Sequence, residues 1–269
     1  MLFSSYFERV RQILTDSRTK EDSLNSPQMT VLHRQVLMEK PFLQELYRCY
    51  YADFAEIDSK ISDRLGTSLE LGSGGGFLKD VLPTVQTSDL CSFDWTDRVE
   101  NAYQLSFRAE SLKAIYMLQV FHHIGDAPTF FKELSRCLCP GGFIVMIEPH
   151  LSYFGRFFFR KLHHEACDPD SPNWTFPQTG RLSEANTALP YLVFERDLKI
   201  FENCYPELKV VQRKFHTFLL YTLSGGVSLR VSMPGFLFKP LLVFEKALAP
   251  LMKKYLGTMQ TIVIQKRLV

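Results

Sequence analysis

One short run constrains this chain more than any other: Glu70-Leu71-Gly72-Ser73-Gly74-Gly75-Gly76. It follows the strand-like Ser68-Leu69-Glu70-Leu71 at once and precedes Phe77–Leu82, which reads as a short helix. Glycines at alternate positions let a chain turn sharply with positive φ and let its backbone approach a ligand closely. A helix opening there points its unpaired N–H groups into the same space. In open α/β sheets such turns lie at the carboxyl ends of the strands, where ligands bind.

The residues around the run support that architecture. Val85–Asp89 is a candidate second strand, and Arg98–Phe107 holds a weak third. Ala114–Val120 is almost wholly apolar, as expected of a strand covered on both faces. Asp126 opens a helix with Pro128 in its first turn and a stripe of Phe130, Phe131, Leu134 and Leu138. Pro140-Gly141-Gly142 ends that helix, and Phe143–Ile147 forms a fifth buried strand. Strands alternating with helices predict an α/β fold, doubly wound on a mostly parallel sheet.

The chain has 269 residues, 46% of them hydrophobic, enough for one large domain with an insertion. The expected organisation is an N-terminal helical cap over 1–64, an α/β core over 65–150, an aromatic-rich lid over 151–207, and C-terminal strands over 208–269. Within the cap a helical pattern begins at Pro41. Leu208–Leu220 and Gln260–Gln265 are the strand-like stretches of the last segment, and between them lies an apolar helical insertion at 233–257.

The ligand is narrowed by what the glycines omit. A dinucleotide turn needs G-x-G-x-x-G; the frame from Gly72 places Phe77 at the third glycine, and the frame from Gly74 places Lys79 there. Asp89 lies nineteen residues beyond Glu70, where a carboxylate accepts hydrogen bonds from ribose hydroxyls. Nicotinamide dinucleotides and S-adenosyl-L-methionine both carry that ribose.

Over roughly residues 65–150 the chain resembles the class I S-adenosylmethionine-dependent methyltransferases. Leu69–Gly76 resembles that family's first motif, Gln119 to His122-His123 its fourth-strand exit, and Leu138–Gly142 its turn into the fifth strand. The resemblance implies a Rossmann-like sheet of seven strands with the last antiparallel. It implies that Glu70, Gly72, Ser73, Gly74 and Gly76 surround the methionine half of S-adenosyl-L-methionine, and that Asp89 holds its ribose. Asn101-Ala102 stands where the family usually carries Asp-Ala beside the adenine, so the contact there is uncharged. Gln119 completes the expected cofactor set.

Methyl transfer needs the acceptor held close and aligned, with a base only if the acceptor must lose a proton. The candidates at strand ends are His122, His123, Glu148 and His150. His163, His164, Glu165, Cys167 and Asp168 are metal-ligand types, but adjacent histidines on a helix point about 100° apart, and no metal is assigned. The lid carries Tyr153, Phe154, Phe157, Phe158, Phe159, Trp174, Phe176, Tyr191 and Phe194 among Arg156, Arg160, Lys161 and Arg181. These build either the lid's own core or a pocket for an apolar acceptor.

A net charge of +2 with no basic stripe excludes the nucleic-acid binders that rely on one. No run of about 20 apolar residues predicts a membrane-spanning helix, residues 1–20 lack a signal-peptide pattern, and the six cysteines include no C-x-x-C pair. The expectation is a cytoplasmic methyltransferase acting on a small hydrophobic or lipid-like molecule at O, N or C. The 233–257 segment either packs on the core or touches a membrane surface. The rivals are a non-catalytic cofactor-binding protein held at a membrane or partner, and an NAD(P)-dependent oxidoreductase.

Overall fold

The computed structural model describes residues 15, 18, 26–163, 165–177 and 186–268. His164, Arg181 and residues 1–14 lie outside the described residues. A seven-stranded sheet runs β1 (Thr67–Leu71), β2 (Gln86–Asp89), β3 (Arg98–Val99), β4 (Leu112–Leu118), β5 (Leu138–Pro149), β6 (Leu208–His216) and β7 (Met259–Lys266). Its spatial order is β3-β2-β1-β4-β5-β7-β6. The first five strands are parallel, and β7 is antiparallel to both β5 and β6. The order reverses between β1 and β4, so their carboxyl ends open the crevice that holds ligands in such sheets.

Helices cover both faces. On one, α1 (Pro27–Glu39) and α2 (Pro41–Lys60) pack with Phe54 stacked on Tyr116 of β4 at 5.1 Å. Asp58 Oδ1 accepts from Ser68 Oγ and Tyr116 Oη, which pins the end of α2 to β1 and β4. On the other face α3 (Ala127–Cys137), N-capped by Asp126, buries Phe130 and Phe131. Phe131 sits at 5.2 Å from Phe121, 5.0 Å from Phe201 and 5.9 Å from Phe194. Phe131→Ala is expected to cost about 3–5 kcal/mol, read as a lower urea midpoint; a change within about 0.5 kcal/mol contradicts this packing.

Three expectations change in detail, each for a local reason. Phe77–Leu82 forms only a 3-10 turn, Leu78–Asp80, because Pro83 pushes the residue before it out of helical geometry. Pro140-Gly141-Gly142 lies within β5 as an irregularity in its pairing with β4. Leu208–Leu220 does not stay extended: β6 stops at His216. α6 (Leu219–Ser224) begins where Glu245 Oε1 accepts the N–H groups of Phe218 and Leu220. Further helices among the described residues include α4 (Tyr153–Lys161), α5 (Leu198–Cys204) and α7 (Phe238–Ala247).

Candidate active site

At the carboxyl ends of β1 and β4 a single cavity of about 670 Å³ opens, within the range of small-molecule sites. One wall is the glycine turn. Gly72 has φ +73°, and a Cβ there would meet Val120 Cγ2 at 2.7 Å. Gly74 has φ +51°, and no atom lies within 4 Å of where its Cβ would stand. The turn is therefore bare on its cavity side, as a closely approaching ligand requires.

Four of its amides are already spoken for. Ser73 N–H donates to Ser88 O, Gly74 N–H to Asp89 Oδ2, Gly76 N–H to Ser73 O, and Phe77 N–H to Tyr51 Oη. A turn that spends these donors on its own protein is not a pyrophosphate cradle, which works by offering them. Together with Phe77 and Lys79 at the required glycine positions, this disfavours the nicotinamide reading.

Two residues outside the motif hold the turn. Arg34 of α1 donates to Gly75 O and Gly76 O at 3.2 and 2.5 Å and lies over the Trp95 ring at 4.6 Å. Trp95 Nε1 in turn donates to Gly74 O at 2.8 Å. Sequence reasoning misses both; Trp95, six residues beyond Asp89, was the visible signal.

Glu70 does not reach the cavity surface. Its Oε2 accepts from Ser73 Oγ at 2.6 Å beneath the turn. Burial raises its pKa to about 7, the Ser73 hydroxyl works against that, and the Asp89 charge adds to it. Glu70 thus braces the motif from below. Gly72, Ser73, Gly74, Gly76, Asp89, Asn101, Ala102 and Gln119 all line the cavity. Asp89 stands at the end of β2, with its Oδ2 accepting from Gly74 N–H at 3.0 Å. Asn101 Oδ1 accepts from Tyr103 N–H at 2.9 Å, so part of its capacity closes a local turn. Gln119 holds a left-handed φ of +56° just past β4.

The four catalytic candidates separate. Glu148 is fully buried under the 3-10 turn Phe121–His123. It accepts from the N–H groups of Val120, Phe121 and His122 and sits 2.6 Å from His122 Nδ1. Its role is to shape that turn, not the cavity mouth. His150 faces away from the cavity: its Nε2 bonds Lys253 O at 2.7 Å and its ring packs on Phe215. Burial pulls its pKa down to about 4.

His122 and His123 do face the cavity. His122 Nε2 lies 3.3 Å from Glu165 Oε2, so its ring bridges two carboxylates. Burial lowers the His122 pKa, but the charge and hydrogen bond of Glu148, reinforced by Glu165, lift it to about 10. The His122 ring thus clamps Glu148 to Glu165. Glu165 is held below the usual carboxylate range by His122 and by the His123 and His163 rings, against the opposing effect of burial. His123 Nε2 stands 3.8 Å from Glu165 Oε1, and His163 Nδ1 3.8 Å from Oε2.

His122, His123 and Glu165 also place potential ligand atoms within 4.8 Å of one another. A cation there would have to displace the proton that His122 carries between the two carboxylates. Cys167 and Asp168 stay outside the cavity lining.

The lid aromatics do not wall the cavity. Phe194 joins the Phe121–Phe131–Phe201 cluster, Trp174 Nε1 donates to Asp197, and Phe159 is buried against His163. Among the described residues the lid's share of the lining is His163 and Glu165; the apolar wall comes instead from Leu37, Leu43, Leu46, Tyr47 and Tyr50 of α1 and α2, faced by Tyr221 and Val227. These read as ordinary helix-core residues in the sequence, since nothing in their spacing tells a packed ring from a cavity-facing one.

Residues 69–146 match the family model described as a methyltransferase domain. No curated protein matches the chain. Among solved structures, a SAM-dependent methyltransferase from Archaeoglobus fulgidus is 13% identical, covering 82% of this chain and 94% of its own, with TM-score 0.48. The geranyl diphosphate C-methyltransferase from Streptomyces coelicolor A3(2) is 14% identical over 100% of this chain and 99% of its own, with TM-score 0.44. A possible histamine N-methyltransferase from Thermotoga maritima is 16% identical over 87% and 99%, with TM-score 0.43. Likenesses this distant add no argument to the strand order and the bare, self-bonded glycine turn. Residues 69–146 thus carry a methyltransferase domain, set on a seven-stranded Rossmann-like sheet with its last strand antiparallel.

Proposed function

We propose that the enzyme methylates a small acceptor with an apolar body and a single polar, proton-bearing nucleophilic atom. One observation carries this reading: the cofactor wall and an apolar compartment share one cavity, and that compartment is polar at the Glu165–histidine cluster. Bound S-adenosyl-L-methionine supplies an electrophilic methyl group on sulfur. Gly72, Gly74, Asp89, Asn101 and Gln119 are the residues placed to hold it. The leucines and tyrosines of α1 and α2 take the acceptor's body, removing its surface from water.

The acceptor's X–H group then lies against Glu165 and His123. Their 3.8 Å separation is too long for a direct hydrogen bond, and the acceptor's proton bridges that gap. As X accepted the methyl group that the cofactor would supply, Glu165 and His123 would take up the X–H proton. Glu148 and His122 position Glu165 for this step.

A homologous series with one hydroxyl or amine head and a lengthening alkyl body tests the reading. Each methylene accommodated by the apolar wall is worth about 0.8 kcal/mol, so kcat/KM is expected to climb about fourfold per carbon until the cavity is full. A flat or falling series refutes the apolar compartment. Cofactor binding with no transfer to any member favours the non-catalytic alternative.

A further inference from the structure

Away from the cavity mouth, α4 packs on the helical turns Ala249–Leu256, which pack in turn on α7, and the three form one surface. Tyr153 and Tyr255 pack ring to ring across it at 5.8 Å. Large apolar side chains stand in solvent here: Tyr153 is 65% exposed, Val243 70%, Phe244 51% and Tyr255 45%, and Phe157 and Leu251 are also exposed. A soluble face rarely carries that many together without a partner.

The charge on the same segments is one-sided. Arg160, Lys161, Lys239, Lys246, Lys253 and Lys254 are exposed around the apolar residues. The one acid in 153–161 and 233–257 is Glu245, which is buried and spends its carboxylate on Phe218 and Leu220 N–H groups. A chain whose net charge is only +2 has thus gathered exposed cations, and no exposed acid, on the two segments that carry these apolar residues.

That pattern selects the occupant. A second copy of this face would bring like charges together across an apolar contact, which is destabilising. An anionic bilayer accepts both features. Lysine stems lie along apolar surface while their ammonium groups reach the headgroups, tyrosines favour the interface, and Phe244, Val243 and Leu251 enter the acyl boundary. Among the described residues no helix is long and apolar enough to cross a membrane, so the contact is peripheral.

We infer that this face docks the enzyme on an anionic lipid surface. α6, which carries the cavity-wall residue Tyr221, packs directly on α7, so docking brings the acceptor compartment close to the lipid. The docking claim stands apart from the methyl-transfer reading, because vesicle binding needs neither cofactor nor acceptor.

Co-sedimentation of the full chain with phosphatidylcholine vesicles, with and without phosphatidylglycerol, tests it. Binding is expected on the anionic vesicles, falling as salt is raised and weak on phosphatidylcholine alone. Each lysine lost near the surface lowers partitioning about fivefold, so Lys246→Glu with Lys254→Glu is expected to reduce it at least about 25-fold. Phe244→Ser is expected to reduce it at low and high salt alike. All three positions are exposed, and an unchanged thermal midpoint shows that the variants fold. Absence of vesicle binding, equal binding to both vesicle types, or undiminished binding by the lysine variant overturns the proposal. So does a concentration-dependent dimer that Phe244→Ser dissociates, which would assign the face to a second copy.

Discussion

Gly74→Val is expected to abolish cofactor binding while leaving the enzyme folded. At φ +51° a β-branched residue is a steric outlier, and the left-handed backbone costs about 1–2 kcal/mol. That is a minority of a domain's stability. The new side chain has nowhere to go but the open cavity beside the turn, where the methionine half of the cofactor belongs. In the unaltered enzyme, S-adenosylhomocysteine at about 100 times its dissociation constant should add roughly 2.7 kcal/mol of stability. For a chain of this size each kcal/mol is worth about 2–4 °C in Tm. The ligand-induced shift should therefore be several degrees in the unaltered enzyme and nil in Gly74→Val. NADH and NADPH should give no shift in either. A shift with a nicotinamide cofactor, or an undiminished one in Gly74→Val, contradicts the assignment of the turn.

Glu165→Gln is expected to have the largest effect on turnover. The substitution keeps the shape of the side chain and removes the charge that His122, His123 and His163 surround. If the acceptor's proton leaves through this pair, kcat should drop by about 100-fold or more, and the S-adenosylhomocysteine shift should be unchanged. An equal loss of cofactor binding would mean that Glu165 is structural, and unchanged turnover would remove it from the mechanism.

The same variant has a signature in pH. The folded-state pKa of His122 is raised from 6.5 to about 10, so its imidazolium contributes stability that is full below 6.5 and lost as pH rises through about 10. The pKa of Glu165 is depressed below 4.5, so its contribution is present above that value and lost as pH falls through the depressed one. Removing the Glu165 charge pulls the upper edge of the His122 window downward. Thermal midpoints across pH should show the variant less stable than the parent through the neutral range. The two should converge as pH approaches 10.

Much of the core was legible because it is local. Alternating apolar runs, an N-capping Asp126 with Pro128 behind it, and glycines spaced for a tight turn are properties of neighbouring residues, and they foretold a doubly wound sheet around residues 68–148. The failures share a cause. Phe77–Leu82 is cut to a 3-10 turn beside Pro83, a local cause, whereas Leu208–Leu220 keeps its strand to His216 and loses only its last residues to the helix held by Glu245, an acid twenty-five residues further on than Leu220. The lid's aromatics were offered as a pocket wall, yet Phe194 and Phe159 are core, while Tyr47, Tyr50 and Tyr221 line the cavity.

By itself the sequence determined the sheet and the turn, since backbone conformation and burial periodicity are written in contiguous residues, and the class of cofactor followed from the resemblance that the turn carries. Only the tertiary structure decided which titratable groups meet. It sent His150 to a backbone carbonyl behind the sheet and sank Glu148 under three amides. It also carried Glu165 from the lid to within ion-pair distance of His122, forty-three residues earlier in the chain. Electrostatic interactions fall off with distance in space and are set by burial, neither of which a linear pattern records.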